Sequence, residues 1–211
     1  KEVKSYITLN TIIYDHDLNL MKKIVDTAKE SKITAIIASD QAVISYASSI
    51  KMEVHISTQC NVTNLETVRF YSHFADVVVL SRELSLIQVK EITKGIEKEQ
   101  IKGPSGNLVQ IEIFAHGALC VAVSGKCYMS LHTTNSSANR GACTQNCRKT
   151  YTVSDKETGY EFEIDNEYIM SPKDLCTIGF MDQVLDAGVT VLKLEGRGRS
   201  PEYVKVVTQC Y

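Results

Sequence analysis

Over its first hundred residues the chain alternates short apolar runs with longer amphipathic ones. VKSYITLN (3–10), TAIIAS (34–39), EVHIST (53–58), DVVVLS (76–81) and VQIEIFA (109–115) are short and rich in β-branched residues, so they read as strands. The stretches between them have helical spacing. In DLNLMKKIVDTAKE (17–30), Leu18, Met21, Ile24, Val25 and Ala28 share one face, and Asp17 can cap it. Residues 41–50, 64–74 and 85–99 read as helices in the same way. After a long interruption, VTVLKLE (189–195) is a sixth strand. PEYVKVVTQCY (201–211) is then a helix expected to face the core, with Cys210 a small apolar residue in it.

Strands alternating with helices imply parallel βαβ units, and strands this apolar are expected to be covered on both faces. Two α/β architectures fit, a doubly wound open sheet and a (β/α) TIM-type barrel. No G-x-G-x-x-G follows the first strand, which weighs against a dinucleotide-binding sheet. A barrel would be incomplete at the N-terminus, short of one or two βα units upstream of Lys1. The reading is one domain over 1–211 with a Cys-rich insertion at about 117–188, after the fifth strand. Within it, YTVSDKETGYEFEI (151–164) predicts a β-hairpin turning at 156–159. SPKDLC (171–176) predicts a helix start, with Ser171 as N-cap and Pro172 in the first turn. MDQVLDAGV (181–189) predicts a helix ending near Gly188.

Composition narrows the function classes. Hydrophobic residues make up 44% and charged residues 23%, as in a folded globular chain. A net charge of −2 gives no overall attraction to nucleic acid, so any basic surface must be local. No apolar run is long enough to span a membrane and no secretory signal is visible, so a cytoplasmic protein is expected.

Each strand is followed by polar residues: Asn10 after the first, Ser39 and Asp40 after the second, Gln59 after the third. Arg82 and Glu83 follow the fourth, His116 the fifth, and Glu195, Arg197 and Arg199 the last. In a parallel barrel these converge on one rim, where active sites are built. Ser39 and Asp40 are explained as helix caps. Arg197 and Arg199, set among glycines, make either an anion pocket or a solvated charged turn. His116 is either a satisfied rim residue, a proton-transfer group or a contact to a metal site. Glu112, inside an apolar strand, must face a polar barrel interior or pair with a cation.

Five of the seven cysteines fall between Cys120 and Cys176, spaced C-x6-C-x15-C-x3-C-x28-C. Clustered thiols in an α/β chain without a secretory signal point to a metal or iron–sulfur centre ahead of disulfides or free thiols. Only Cys143 and Cys147 form a close pair. The irregular gaps fit an iron–sulfur cluster better than structural zinc, though zinc stays open. Gly117, Gly125 and Gly141 would let the backbone wrap closely, and Asn139, Arg140 and Lys126 could supply hydrogen bonds or charge.

The stretch EIFAHGALCVAVSGKCYMS (112–130) resembles the signature of peptidase family U32, the collagenase-like peptidases, at every specified position. SANRGACTQNCRKTY (137–151), STQCNVTN (57–64), LSRELSL (80–86), SPKDLC and LKLEGRGRSPEYV (192–204) resemble the family as well, so the likeness runs over nearly the whole chain. The family name implies proteolysis, yet the sequence holds no H-E-x-x-H and no G-x-S-x-G. Relatives that hydroxylate RNA bases, one group with a prephenate requirement, imply a different activity. They imply a 4Fe–4S cluster on Cys120, Cys127, Cys143 and Cys176, with Cys147 as the alternative, and tRNA or rRNA as substrate. Arg82, Arg197 and Arg199 would hold prephenate carboxylates or RNA phosphate, together with Asn10, Gln59, Glu83 and Glu195 as substrate contacts. His116, Glu112 and Arg82 are the catalytic candidates. Lys126, Arg140, Arg148 and Lys149 would form a basic edge for RNA, with Tyr128 and Tyr151 available to stack on a base. A collagenase-like peptidase and a non-catalytic module with structural zinc are the alternatives.

Overall fold

The computed structural model describes residues 3–164 and 173–211. The predicted alternation is realised: β1 (Tyr6–Leu9), α1 (Leu18–Glu30), β2 (Ala35–Ala38), α2 (Gln41–Ser49), β3 (Glu53–Ile56), α3 (Leu65–Ser72), β4 (Val77–Val79), α4 (Leu86–Glu99) and β5 (Gln110–Gly117). Then come α5 (Met129–Thr134), β6 (Tyr151–Ser154), β7 (Glu161–Ile164), β8 (Leu175–Cys176), α6 (Met181–Asp186), β9 (Val191–Leu194) and α7 (Pro201–Cys210). The helix starts follow local chemistry. Asp40 caps α2 by accepting from Ala42 N–H at 2.9 Å, Asn64 caps α3, and Ser85 and Gln88 close a capping box on α4.

β1 to β5 pair in sequence order, each parallel to the last, and β9 continues the sheet parallel to β5. A doubly wound sheet would reverse its strand order at a switch point. This one winds in a single direction and curls, as barrel sheets do.

The two faces of the sheet differ. Ile36, Ala38, Val54, Ile56, Val78, Leu80 and Ile111 point outward and join helix residues such as Met21, Val25, Val43, Val68, Val89 and Ile96 in one continuous core. The concave face lines a separate cavity of about 270 Å³ with Tyr6, Ile37, Glu53, His55, Val77, Gln110, Glu112 and Lys193. The expectation of apolar cover on both faces therefore needs correcting: only the convex face carries the main core. Alternation puts the polar members of β1, β3, β5 and β9 together on the other side. Glu112 lies there, 6% exposed, and accepts a hydrogen bond from Lys193 Nζ at 2.7 Å.

Parts of the 117–188 segment are tied into the sheet and the core, and two further expectations are corrected. β8 pairs antiparallel with the end of β5, and α6 packs into the main core through Val184. Leu175–Cys176 is a strand, not part of a helix, because its backbone joins the β5 edge (Ser171 and Pro172 lie outside the described residues). α7 buries none of its residues and Cys210 is exposed, so that helix does not face the core. The hairpin is as expected: β6 and β7 pair antiparallel, and Asp155 Oδ1 accepts from the N–H groups of Glu157 and Thr158 across the turn.

Candidate functional site

The C-terminal ends of the parallel strands open into a cavity of about 610 Å³. Asn10, Gln59, Arg82, Glu195, Arg197 and Arg199 line it from the strand ends; Cys120, Cys127, Cys143 and Cys147 line it from the segment after β5. These ten residues, all singled out in the sequence, thus meet in one place. The floor is polar: Ser39 Oγ reaches Asn10 O at 2.9 Å and Gln59 Oε1 at 3.1 Å, and Asn10 Nδ2 donates to Ser57 Oγ at 3.4 Å.

The thiol-bearing segment is held by glycines and by long-range contacts. Gly117 has φ of +110°, and a Cβ there would stand 2.5 Å from Glu195 O, so β5 can approach β9 only with glycine at this point. Gly125 has φ of +72° and packs on the Gln59 side chain. Cys127 N–H donates to Asn139 Oδ1 at 3.2 Å. Burial pushes the Cys147 thiol up, and the charges of Cys120 and Cys143 add to this while Arg148 opposes it. Cys120 and Cys143 each therefore lie within electrostatic reach of Cys147. Among the described residues, no group of three or more His, Cys, Asp or Glu side chains is set to hold a metal ion. Cys176 pairs with His116 in the β5–β8 ladder, outside the cavity wall and close to Tyr203.

The remaining candidates sit elsewhere. His116 does not line the cavity: its Nδ1 is 3.2 Å from Tyr211 Oη, which donates to Ala115 O at 3.0 Å. Glu83 is exposed, and the Ser81 hydroxyl it accepts from lowers its pKa. Glu112 belongs to the concave face behind the site.

The basic residues divide into two groups. Arg82 donates through Nε to Ser124 Oγ at 3.2 Å, and through its two terminal nitrogens to Cys120 O at 3.2 Å and Ala122 O at 2.8 Å. Arg148 donates to Leu119 O at 3.2 Å and faces Asp174 at 3.9 Å; Arg199 pairs with the same Asp174. Arg140 binds Asp17 Oδ2 at 2.7 Å and Ile12 O at 3.1 Å, and stacks on Tyr14. That hydrogen bond draws the Asp17 pKa from 3.8 to about 2. These arginines are spent on the protein itself. The Arg197 guanidinium makes no hydrogen bond or ion pair among the described residues and is exposed at the cavity wall. Asp174, Ser124 and Tyr211 were not singled out in the sequence, because their partners lie 25 to 96 residues away, and Asp17 was read only as a helix cap because Arg140 lies 123 residues on.

The fold and site together define a singly wound parallel α/β chain with four thiols around a strand-end cavity. A family model, Peptidase family U32, matches residues 1–211, and the chain belongs to that family. It is 60% identical over all 211 residues to a protein named "Collagenase" in Porphyromonas gingivalis (strain ATCC BAA-308 / W83), covering 51% of that relative. It is 35% identical to the "23S rRNA 5-hydroxycytidine C2501 synthase" of Escherichia coli (strain K12), with 99% of this chain and 30% of the relative aligned. To the "tRNA hydroxylation protein P1" of Bacillus subtilis (strain 168) it is 31% identical, with 99% of this chain and 48% of the relative aligned. The chain spans about half the length of the first of these relatives, and less of the others. No solved structure matches it.

Proposed function

We propose that this chain carries the redox centre of an RNA-base hydroxylase, a 4Fe–4S cluster held on cysteine thiolates at the strand-end cavity. The observation that carries the reading is the convergence of Cys120, Cys127, Cys143 and Cys147 on one cavity wall. Soft thiolates suit iron–sulfur or zinc, and the strand-end position is where (β/α) barrels place chemistry. Cys120, Cys127 and Cys143 would hold the cluster with either Cys176 or Cys147. When bound, it supplies one-electron transfer.

The chain's own residues do the rest. Arg197, whose guanidinium has no protein partner among the described residues, takes a carboxylate such as those of prephenate, or an RNA phosphate. Exposed Lys126, Lys149 and Tyr128 form the RNA edge. Arg140 and Arg148 drop out of that edge, being committed to Asp17, Leu119 O and Asp174. The sheet itself is part of a TIM-type barrel. Two relatives bear names that specify hydroxylation of tRNA or synthesis of a hydroxylated rRNA base, and this supports RNA as the substrate. Cytoplasmic location goes with that substrate, and among the described residues no helix is long and apolar enough to cross a membrane.

Iron and acid-labile sulfide analysis on anaerobically prepared protein tests the reading, together with its visible spectrum. Brown protein with iron and sulfide in equal amounts is expected; colourless, iron-free protein sinks it, and stoichiometric zinc would support the structural-metal module. A peptidase is the second reading, favoured by the 60% identity to a protein named collagenase. It needs a reactive thiol with a base, yet His116, the histidine nearest in sequence to the thiols, does not line the cavity. Cleavage of gelatin that survives chelation and is lost with a single Cys→Ser change would establish it.

A further inference from the structure

The loop between β5 and α5 has little regular structure of its own, so its backbone carbonyls need partners from elsewhere. Arg82, at the end of β4, supplies them. Its guanidinium meets three acceptors on this one loop, Cys120 O, Ala122 O and Ser124 Oγ, across 38 to 42 residues of sequence. Arg148 takes the carbonyl of Leu119 from the other side. A planar fork with five N–H donors can serve three divergent acceptors at once; an ammonium on a flexible stem cannot hold the same geometry. Ser124 is 7% exposed and also touches Thr58, while its carbonyl accepts from Asn61 Nδ2 at 3.0 Å, so the far end of the loop is seated on the β3 side.

We infer that Arg82 is a positioning residue: its guanidinium fixes the Cys120–Ser124 loop and so sets the Cys120 thiol against Cys143 and Cys147. Sequence reasoning made this arginine a substrate or catalytic group. The geometry gives it another task, because every donor direction that the structure records is turned onto the protein. The inference rests on the proposed site only in taking Cys120 as a working thiol.

The test uses metal-free, reduced protein and a short bis-maleimide, with the bridged peptides mapped by mass spectrometry. The Cys143–Cys147 pair lies within one short segment that Arg82 does not touch, so it is the internal reference. In Arg82→Ala the Cys120–Cys147 bridge is expected to fall about tenfold relative to Cys143–Cys147, the equivalent of one charge-assisted hydrogen bond. Arg82→Lys should not restore it, and Ser124→Ala, which removes a single acceptor, should give a smaller fall in the same direction. An unchanged ratio in Arg82→Ala and Arg82→Lys overturns the inference. So does an equal loss of both bridges, which would mark general unfolding. If Arg82→Ala does not fold, Arg82→Lys and Ser124→Ala decide the matter on the same ratio. Iron content does not enter this measurement: a wild-type chain without iron defeats the proposed function and leaves the role of Arg82 to be decided by the bridges.

Discussion

Replacing Lys193 with methionine should cost more stability than replacing Glu112 with glutamine, although both changes break the same ion pair. The reason is unequal burial. The Glu112 side chain is 8% exposed and that of Lys193 is 28% exposed, with 2.7 Å between Nζ and Oε1. Without Lys193 the Glu112 carboxylate is left in the concave face with its cation gone. Breaking a fully buried pair costs about 3–5 kcal/mol and an exposed one at most about 1 kcal/mol. This half-buried pair falls between, at about 2–3 kcal/mol for Lys193→Met. In Glu112→Gln the amide oxygen can still accept from Nζ, and Lys193 keeps its access to water and its place 5.6 Å from the centre of the Phe114 ring. About 1 kcal/mol is expected there. Urea unfolding followed by circular dichroism reads both values; in melting temperature the gap is about 2–8 °C for a chain of this size. A larger loss in Glu112→Gln, with Lys193→Met near neutral, would refute the argument and return Glu112 to the list of catalytic candidates.

Three other outcomes follow from the same geometry. Asp17→Asn should flatten the acid limb of the stability curve: the carboxylate's folded pKa of about 2 lies below its ordinary 3.8, so its contribution is complete above that value and fades as pH falls toward 2, readable by melting temperature against pH. Gly117→Ala should destabilise by about 2 kcal/mol or more, from a strained positive φ and a Cβ set against Glu195 O, and chemical denaturation within 0.5 kcal/mol of wild type would contradict this. Arg197→Ala should leave stability within about 0.5 kcal/mol of wild type while weakening carboxylate or phosphate binding measured by calorimetry; unchanged anion affinity would remove Arg197 from the site.

Much of the site was legible because the relevant information is local. A strand of four or five residues ends where its apolar run ends, and in parallel units all such ends emerge on one rim. Asn10, Gln59, Arg82 and Glu195 could therefore be placed together before any contact was known, and the thiols of one segment could be placed beside them. Strand and helix positions were legible for the same reason, since period and capping are written within a dozen residues. The misreadings came where the answer lay elsewhere in the chain. Leu175–Cys176 has the look of a helix start, yet its backbone finds a ladder on β5, some 60 residues earlier.

The sequence by itself determined the α/β alternation, the family, the rim residues and the soft-ligand character of the site. Tertiary structure alone decided the winding of the sheet, the division of the strands into an apolar convex and a polar concave face, and the fate of each cation. Arg82, Arg140, Arg148 and Arg199 look alike in sequence to Arg197; only folding shows that the first four are engaged by carbonyls and carboxylates, at separations of 25 to 128 residues. A guanidinium binds whatever acceptor the chain path brings to it, and that path is a property of the whole fold, which no local pattern encodes.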